Sequence, residues 1–324
     1  MAEPVPEIAV VVASHDRPLR LRWLLEALAE QTLARDRFEV IVGHDSSGHE
    51  TEELLRSHRL AREGVLRHVT LEPGTAPPGR NRNAAWRIAR APLIAFTDDD
   101  CRPPPEWLER ALAAARAHPG AIVQGATGPD PDEALIGQYG NWLKTQSIRP
   151  PRPWAQACNI VYPKDVLEAC GGFPEDMYVG EDTALAETAR ARGVQYVGAR
   201  EVVTYHAIEE GSLLEMARAG FRWGGLALLL KRHPRLRQEF PLGYFYKREH
   251  LWLLVAAAGW ALMRRSRLAS ALLVPYLAHR MPHYGQQPRG RMRAALELPG
   301  HTVIEAAETA GLVWGSIRHR SLFL

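Results

Sequence analysis

Residues 78–101, PGRNRNAAWRIARAPLIAFTDDDC, decide how the first part of the chain folds. Pro78 and Gly79 mark a loop, and the residues from Asn81 to Arg90 are predicted to form a helix. The short apolar run Pro92–Phe96 predicts a buried strand. A helix that leads into a buried strand, with carboxylates directly after that strand, is typical of an α/β domain with its ligand site at the strand ends.

The same alternation of strands and helices continues on both sides of this segment and predicts a doubly wound parallel sheet. The strands are expected at Glu7–Ser14, Phe38–Gly43 and Val65–Thr70, with two short strands within Val194–Tyr205. Helices are expected after Asp16 and at Glu50–Ala61, Pro103–His118 and Glu181–Arg192. Residues 125–160 show neither the helical nor the strand periodicity of apolar residues and are predicted to be irregular.

Composition and charge divide the chain into two parts. The 324 residues are 46% apolar and 24% charged, which excludes a disordered or fibrous protein. Residues 1–215 carry 23 basic and 32 acidic side chains, whereas residues 216–324 carry 17 and 5. We therefore predict two parts with different roles, an acidic domain over 1–215 and a basic, mostly helical region over 216–324.

The cysteine pattern and the N-terminal residues predict a cytoplasmic protein. Three cysteines without a CxxC pair indicate a reducing compartment. The opening MAEPVPEIAV lacks the basic and apolar regions of a signal peptide.

Three apolar runs in the basic region predict helices that are too short to span a bilayer: Gly224–Leu230, Leu251–Met263 and Leu268–Ala278. Three roles remain open for them. They could pack as core helices on the first part, form a homodimer interface, or lie on an anionic membrane surface at the inner face of the cell membrane. No nucleic-acid-binding motif is present, and nucleic acid is not expected as a partner.

Three adjacent carboxylates, Asp98, Asp99 and Asp100, follow the strand Pro92–Phe96. In an extended segment Asp98 and Asp100 point to the same side. Two oxygen ligands on one side suit Mg²⁺ or Mn²⁺, while an acidic loop or a helix cap is the alternative.

The junction Gly79–Asn83 combines a helix start with arginines, a pattern that suits phosphate. There is no GxGxxG after a strand and no GxxxxGK[ST], which disfavours a dinucleotide site and a P-loop ATPase. Glu181 and Asp182 open another helix, where they could serve the helix dipole or supply a general base. His206 follows the strand-like VVTY and is either structural or a metal ligand.

Four segments, in this order, resemble the inverting family 2 glycosyltransferases with a GT-A fold. They are VVVASHDRP at 10–18, FEVIVGHDSSGHET at 38–51, the stretch 78–101, and the block from ACNIVYPKD at 157–165 through GEDTALAETARARG to VVTYH at 202–206. The resemblance implies a GT-A nucleotide-binding sheet over roughly residues 7–210 with a C-terminal helical extension.

The resemblance also implies roles for single residues. The nucleotide-sugar would be bound by Ser14, Asp16, Asp45, Arg82, Asp98 and Asp99, with Asp45 at the base and Arg82 at the pyrophosphate. Asp98, Asp100 and His206 would hold Mn²⁺ or Mg²⁺, and Asp182, beside Glu181, would be the general base. His44, Ala184 and Thr188 depart from the family's usual acidic or basic residues at these positions.

The resulting hypothesis is a metal-dependent, inverting transfer from a nucleotide diphosphate-sugar, UDP-sugar first, to an unidentified acceptor hydroxyl. Two alternatives stay open at this point. A nucleotidyltransferase would release pyrophosphate instead of a nucleoside diphosphate. A catalytically silent sugar-nucleotide-binding scaffold would bind the donor without turnover.

Overall fold

The buried strand predicted at Pro92–Phe96 is Leu93–Asp98 in the computed structural model, which describes residues 5–74, 76–139, 142–282 and 284–324. The chain forms two compact units, Met1–Glu210 and Gly211–Leu324. The boundary at 215/216 that the charge and strand patterns predict lies within the second of these units.

The first unit contains an eight-stranded sheet of mixed direction, in the order β3-β2-β1-β4-β8-β6-β9-β5. Pairing is parallel between β1 and both β2 and β4, between β2 and β3, and between β6 and β9. By contrast, β8 is antiparallel to β4 and β6, and β5 is antiparallel to β9. The strands are β1 Ile8–Ser14, β2 Phe38–His44, β3 Leu66–Thr70, β4 Leu93–Asp98, β5 Cys101–Arg102, β6 Ile122–Pro129, β7 Leu143–Lys144, β8 Ile160–Pro163, β9 Tyr196–His206 and β10 Glu209–Glu210, with β7 and β10 paired separately.

Helices cover both faces of this sheet, because its central strands are apolar on both sides. Along β1, Ile8, Val10 and Val12 pack in one core, and Ala9 and Val11 pack in the other. The helices of the unit are α1 Pro18–Ala29, α2 His49–Ser57, α3 Arg59–Arg62, α4 Pro78–Arg87, α5 Trp107–Ala117, α6 Ala134–Tyr139, α7 Lys164–Cys170 and α8 Glu181–Ala191. Helices α1 and α5 contribute to the first core, and α4, α7 and α8 to the second.

The prediction for residues 125–160 was wrong in part, because β6 occupies Ile122–Pro129. This strand contains Gly125, Gly128 and Pro129, which weaken the apolar alternation by which a strand is recognised. The two short strands expected within Val194–Tyr205 are one long strand, β9. Its register against β6 shifts between Gly125 and Ala126. The break that the sequence suggests between two short strands is therefore an irregularity within one strand.

The second unit is helical in the described residues. Its helices are α9 Leu213–Phe221, α10 Leu226–Arg232, α11 Arg248–Leu262, α12 Val274–Arg280 and α13 Pro288–His319, joined in part by 3₁₀ turns such as Arg222–Gly225 and Arg267–Leu273. Helix α13 runs for 32 residues through Pro299 and is not predicted by the sequence pattern. Proline normally ends a helix, so the sequence pattern around Pro299 predicts a break where the structure has one continuous helix.

Three glycines allow α13 to lie directly against the 3₁₀ turn Arg222–Gly225. A Cβ atom on Gly315 would lie 2.0 Å from the carbonyl oxygen of Gly224, and a Cβ on Gly224 would lie 2.3 Å from that of Gly311. A Cβ on Gly311 would lie 2.2 Å from the carbonyl oxygen of Phe221. Glycine at these positions therefore allows the backbone of α13 to contact the backbone of the turn directly.

Candidate active site

The carboxyl ends of three parallel strands bring the predicted site residues to one edge of the sheet. Ser14 at the end of β1 is in register with His44 at the end of β2, and Ala13 is in register with Asp98 at the end of β4. His206, at the end of β9, is paired with Cys101 just after the three aspartates. Ligands of open α/β sheets bind at this edge.

The three aspartates contact three different partners, which are Arg82 for Asp98, Ser14 for Asp99 and Arg17 for Asp100. Asp98 Oδ1 accepts a hydrogen bond from Arg82 Nη2 at 2.8 Å. Asp99 is buried and accepts one from Ser14 Oγ at 2.8 Å. The expectation that Asp98 and Asp100 share a side of an extended segment was wrong, because β4 ends at Asp98 and the chain turns at the next two residues.

Burial, together with the charge of the neighbouring Asp100 and against that of Arg17, raises the pKa of Asp99 to about 7. Arg17, which the sequence analysis missed, supplies the counter-charge that three adjacent carboxylates require. Its Nη1 lies 2.8 Å from Asp100 Oδ2, 3.7 Å from Asp99 Oδ1 and 3.3 Å from Glu209 Oε1. The need for a cation was visible in the triplet, but its identity was not.

Arg82 joins the two halves of the site. Its side chain is buried, Nη2 binds Asp98, and Nη1 donates to Glu181 Oε1 at 2.7 Å. Burial alone would lower the pKa of Arg82, but the charges of Asp98 and Glu181 raise it above its usual range. The guanidinium also lies 5.6 Å from the ring centroid of Phe173. Arg82 therefore holds the end of β4 against the start of α8.

Asp182, the predicted general base, follows Glu181 in the first turn of α8. Its Oδ1 accepts hydrogen bonds from the backbone N–H of Thr183 at 2.7 Å and from the Thr183 hydroxyl at 3.3 Å. Its Oδ2 accepts one bond, from the N–H of Ala157 at 3.2 Å. Burial raises the pKa of Asp182, although Arg82 opposes the shift, and burial also raises the pKa of Glu181. A carboxylate with a raised pKa and free lone pairs can accept a proton.

Asp45 organises the loop before α4. Its Oδ1 accepts from Asn81 Nδ2 at 2.8 Å and lies 3.1 Å from His15 Nδ1, while Oδ2 accepts from the N–H of Ala76 at 3.1 Å. Asp45 is buried, so a contact with the nucleotide base stays a prediction. A Cβ atom on Gly43 would lie 2.1 Å from the carbonyl oxygen of Asn81, which explains the glycine at that position.

Asp16 joins the loops that follow β1 and β2. Its carboxylate accepts from the N–H of Ser47 at 2.7 Å and from the Ser47 hydroxyl at 2.8 Å. Its own N–H donates to Ser46 Oγ at 3.1 Å. Asp16 has a φ of 50°, an αL conformation that aspartate tolerates better than most residues. These bonds fix the outline of the predicted nucleotide pocket.

Asp100 and His206 fit a divalent cation. His206 Nδ1 lies 2.9 Å from the carbonyl oxygen of Ala207, an acceptor, so Nδ1 carries a proton and donates to it. Nε2 lies 3.5 Å from Asp100 Oδ1, a buried oxygen without a hydrogen-bond partner. A histidine that ligates a metal commonly donates its other ring N–H to a carbonyl, so Nε2 and this oxygen suit a divalent cation. Within the described residues no group of three or more such side chains could hold a metal, so other ligands would come from the donor and water.

His44 is buried and belongs to a hydrogen-bonded cluster around Glu52, which is itself half-buried. Glu52 Oε2 lies 3.0 Å from His44 Nε2 and accepts from the Thr70 hydroxyl at 3.1 Å. Glu52 Oε1 lies 3.1 Å from His68 Nε2 and accepts from Arg56 Nη2 at 2.6 Å. The cluster ties α2 to β2 and β3 beneath the predicted nucleotide loop. His44 is thus a structural partner of Glu52, which explains its departure from the family's acidic residue.

Replacing Glu52 by Gln should destabilise the protein in a pH-dependent way. Burial would raise the pKa of Glu52, but hydrogen bonds and charge from His68 lower it from 4.5 to about 2. A lowered folded-state pKa stabilises above pH 4.5, and that contribution is lost as the pH falls towards 2. We expect Glu52→Gln to cost about 1–3 kcal/mol at neutral pH and about half of that near pH 3.

Urea unfolding of the wild type and the variant at several pH values measures this difference. Glu53→Gln is the matched control, since Glu53 is the exposed neighbour on the same helix. A cost that is independent of pH, or an equal cost in the control, would contradict the assignment.

Comparison with known proteins gives consistent matches. Residues 9–173 match the sequence model described as "Glycosyl transferase family 2". The chain is 24% identical over 262 residues to glycosyltransferase AglE of Haloferax volcanii, with 79% of the chain and 82% of AglE covered. It is 29% identical over 233 residues to validoxylamine A glucosyltransferase of Streptomyces hygroscopicus subsp. jinggangensis, covering 61% of the chain and 54% of that protein. The chain thus spans about half the length of the latter.

Two solved structures share the fold. One is the mannosyltransferase PcManGT from Pyrobaculum calidifontis, in complex with GDP-Man and Mn²⁺. It has a TM-score of 0.62 and 19% identity, and the match covers 96% of the chain and 87% of PcManGT. The other is S. aureus TarS 1-349 in complex with UDP-GlcNAc, with a TM-score of 0.52 and 16% identity over 97% of the chain and 92% of that structure.

Proposed function

The chain belongs to glycosyl transferase family 2, and from that premise we propose that it moves a sugar from a UDP-sugar to an acceptor hydroxyl in a metal-dependent, inverting reaction. The observation that carries the proposal is Arg82, which is bonded both to Asp98 on the predicted donor side and to Glu181 beside the predicted base. The buried guanidinium of Arg82 thereby holds Asp98, on the donor side, at a fixed distance from Glu181, beside the base.

The donor class is supported by the relatives. PcManGT holds GDP-Man with Mn²⁺, and TarS holds UDP-GlcNAc, so a nucleotide diphosphate-sugar is the expected donor. We propose uridine as the base and Ser14, Asp16, Asp45, Arg82, Asp98 and Asp99 as the residues that form the donor site. The acceptor, the membrane surface and the homodimer stay predictions.

In the proposed mechanism the acceptor hydroxyl loses its proton to Asp182. Oδ2 is the better acceptor atom, because it receives one hydrogen bond whereas Oδ1 receives two. The acceptor oxygen forms a bond to the anomeric carbon while the bond from that carbon to the diphosphate oxygen breaks. The electron pair of the broken bond leaves with the nucleoside diphosphate, and attack from the opposite face inverts the configuration.

The remaining residues orient these groups. Arg82 and Glu181 position the start of α8 and with it Asp182. Asp100 and His206 would hold Mn²⁺ or Mg²⁺, whereas Asp98, the third ligand that the resemblance implies, is bonded to Arg82. When bound there, the metal supplies charge that stabilises the departing diphosphate.

Calorimetric titration of the purified chain with UDP, GDP and dTDP, each with Mn²⁺ and with EDTA, tests the donor and the metal. We expect UDP to bind most tightly and to lose at least about tenfold in affinity in EDTA, since the diphosphate shares the metal. Equal binding with and without metal would refute metal dependence, and a preference for GDP or dTDP would refute the choice of base.

Asp100→Asn should weaken Mn²⁺ binding by about 10–100-fold, because it removes a charged ligand. Paramagnetic resonance of free Mn²⁺ reports this affinity without any turnover. Asp36→Asn is the matched control, since Asp36 is exposed on the 3₁₀ turn before β2. Unchanged affinity in Asp100→Asn would contradict the assignment of Asp100.

A further inference from the structure

An exposed apolar and basic segment lies in the second unit, where it includes the end of α11 and the start of the 3₁₀ helix Arg267–Leu273. All nine residues from 260 to 268, WALMRRSRL, are exposed, and we call this segment the tip. Trp260 and Leu268 are 73% and 85% exposed, and Leu262 and Met263 lie between them. Large apolar side chains are seldom grouped in this way on a surface that contacts only water.

Along the chain, the residues on either side of the tip carry charge of a single sign. Residues 250–296 contain seven arginines and no aspartate or glutamate. Arg264, Arg265 and Arg267 lie within the tip, and in the part of the chain that the structure describes their guanidinium groups form no ion pair. By contrast, Arg280 and Arg293, from the same stretch of chain, are paired with Glu305 and Glu297. The tip arginines are therefore available to an external anion.

We propose that the tip binds the surface of an anionic lipid bilayer. Trp260 and Leu268 enter the interface between headgroups and acyl chains, and the three arginines bind headgroup phosphates. Within the described residues no helix has the length and apolar character needed to cross a membrane, and surface binding does not need one.

Charge selects a lipid surface over a second copy of the chain. A symmetric dimer brings the same patch of both subunits together, so the arginines of one tip would face those of the other. An anionic bilayer instead offers phosphates to the arginines and hydrocarbon to Trp260 and Leu268. This inference goes beyond the proposed transfer reaction and does not depend on it.

Co-sedimentation of the purified full chain with phosphatidylcholine vesicles, with and without phosphatidylglycerol, tests the proposal. We expect binding to the vesicles that contain phosphatidylglycerol to be at least about tenfold stronger at low salt and to weaken at high salt. Equal binding to both vesicle types, or no binding to either, would overturn the proposal.

The variant Arg264→Gln/Arg265→Gln/Arg267→Gln should bind anionic vesicles about 100-fold more weakly, since each arginine near such a surface contributes about fivefold. The matched control replaces Arg149, Arg192 and Arg200, which are exposed on the first unit, by Gln. The control removes the same charge and should lose less than about fivefold. Equal losses would show that net charge, and not the tip, attracts the vesicles.

The apolar contribution is tested with Trp260→Ser/Leu268→Ser, which should lose at least about tenfold in affinity. Both side chains are exposed, so circular dichroism should be unchanged. Brominated lipid should quench tryptophan fluorescence more in the wild type than in Trp260→Phe. A lipid-free dimer that dissociates in the double Ser variant would assign the tip to a second copy and overturn the proposal.

Discussion

Asp182→Asn will lower the rate of UDP release from a UDP-sugar by about 10²–10⁴-fold, because the variant lacks the general base. Water can take the place of the acceptor in this assay, so the acceptor does not have to be known. The amide oxygen of Asn can still accept the hydrogen bond from the N–H of Thr183. Its NH₂ group then faces the N–H of Ala157, so the longer bond at 3.2 Å is lost. Donor affinity should therefore change little while turnover falls.

The matched control for this prediction is Asp165→Asn. Asp165 lies in the first turn of α7, the position that Asp182 has in α8. Unlike Asp182, Asp165 is exposed and lies outside the proposed site. Its substitution should leave turnover within about twofold, as expected for a surface change. Near wild-type turnover in Asp182→Asn would remove Asp182 from the mechanism, and loss of donor binding would assign it to the donor site instead.

Arg82→Ala should destabilise the protein by about 3–5 kcal/mol, since removal of one partner leaves buried charge without compensation. Asp98 and Glu181 would both lose a charged hydrogen bond, and Glu181 is buried. The same change should lower UDP release strongly, because the start of α8 is no longer held against the end of β4. Urea unfolding gives the first effect and the UDP assay gives the second.

Arg80→Ala is the matched control, because Arg80 is exposed two residues earlier on the same helix. It should cost less than about 0.5 kcal/mol. Arg82→Lys should recover only part of the loss, since one ammonium cannot reproduce two guanidinium bonds to separate carboxylates. If Arg80→Ala and Arg82→Ala were equally costly, the buried ion pairs would not be the source of the effect.

Much of the fold could be predicted from the sequence, because strands and helices are local patterns. The family and the GT-A fold are confirmed by the sequence match and the solved structures. Strands β1, β2 and β4 lie within a residue or two of the predicted ranges. Where pattern recognition failed, at β6 and α13, glycine and proline interrupt the periodicity while tertiary packing maintains the element.

Less of the site could be predicted, because its contacts join residues that are far apart in the chain. Asp98, Asp182 and His206 follow from motifs, whereas their partners do not. Arg17 meets Asp100 across 83 positions, and Arg82 meets Glu181 across 99. Only the fold brings such pairs together, so a single sequence shows that a counter-charge is needed without naming it.

The three glycines between α13 and the turn Arg222–Gly225 have a consequence for how this protein can diverge. Each of them faces a backbone carbonyl, which no change of side chain elsewhere can move away. Gly224, Gly311 and Gly315 should therefore be inherited together among descendants that keep this packing. A lineage that replaces one of these glycines must shift the whole of α13. The other two positions would then no longer face a carbonyl, and selection would no longer require glycine there.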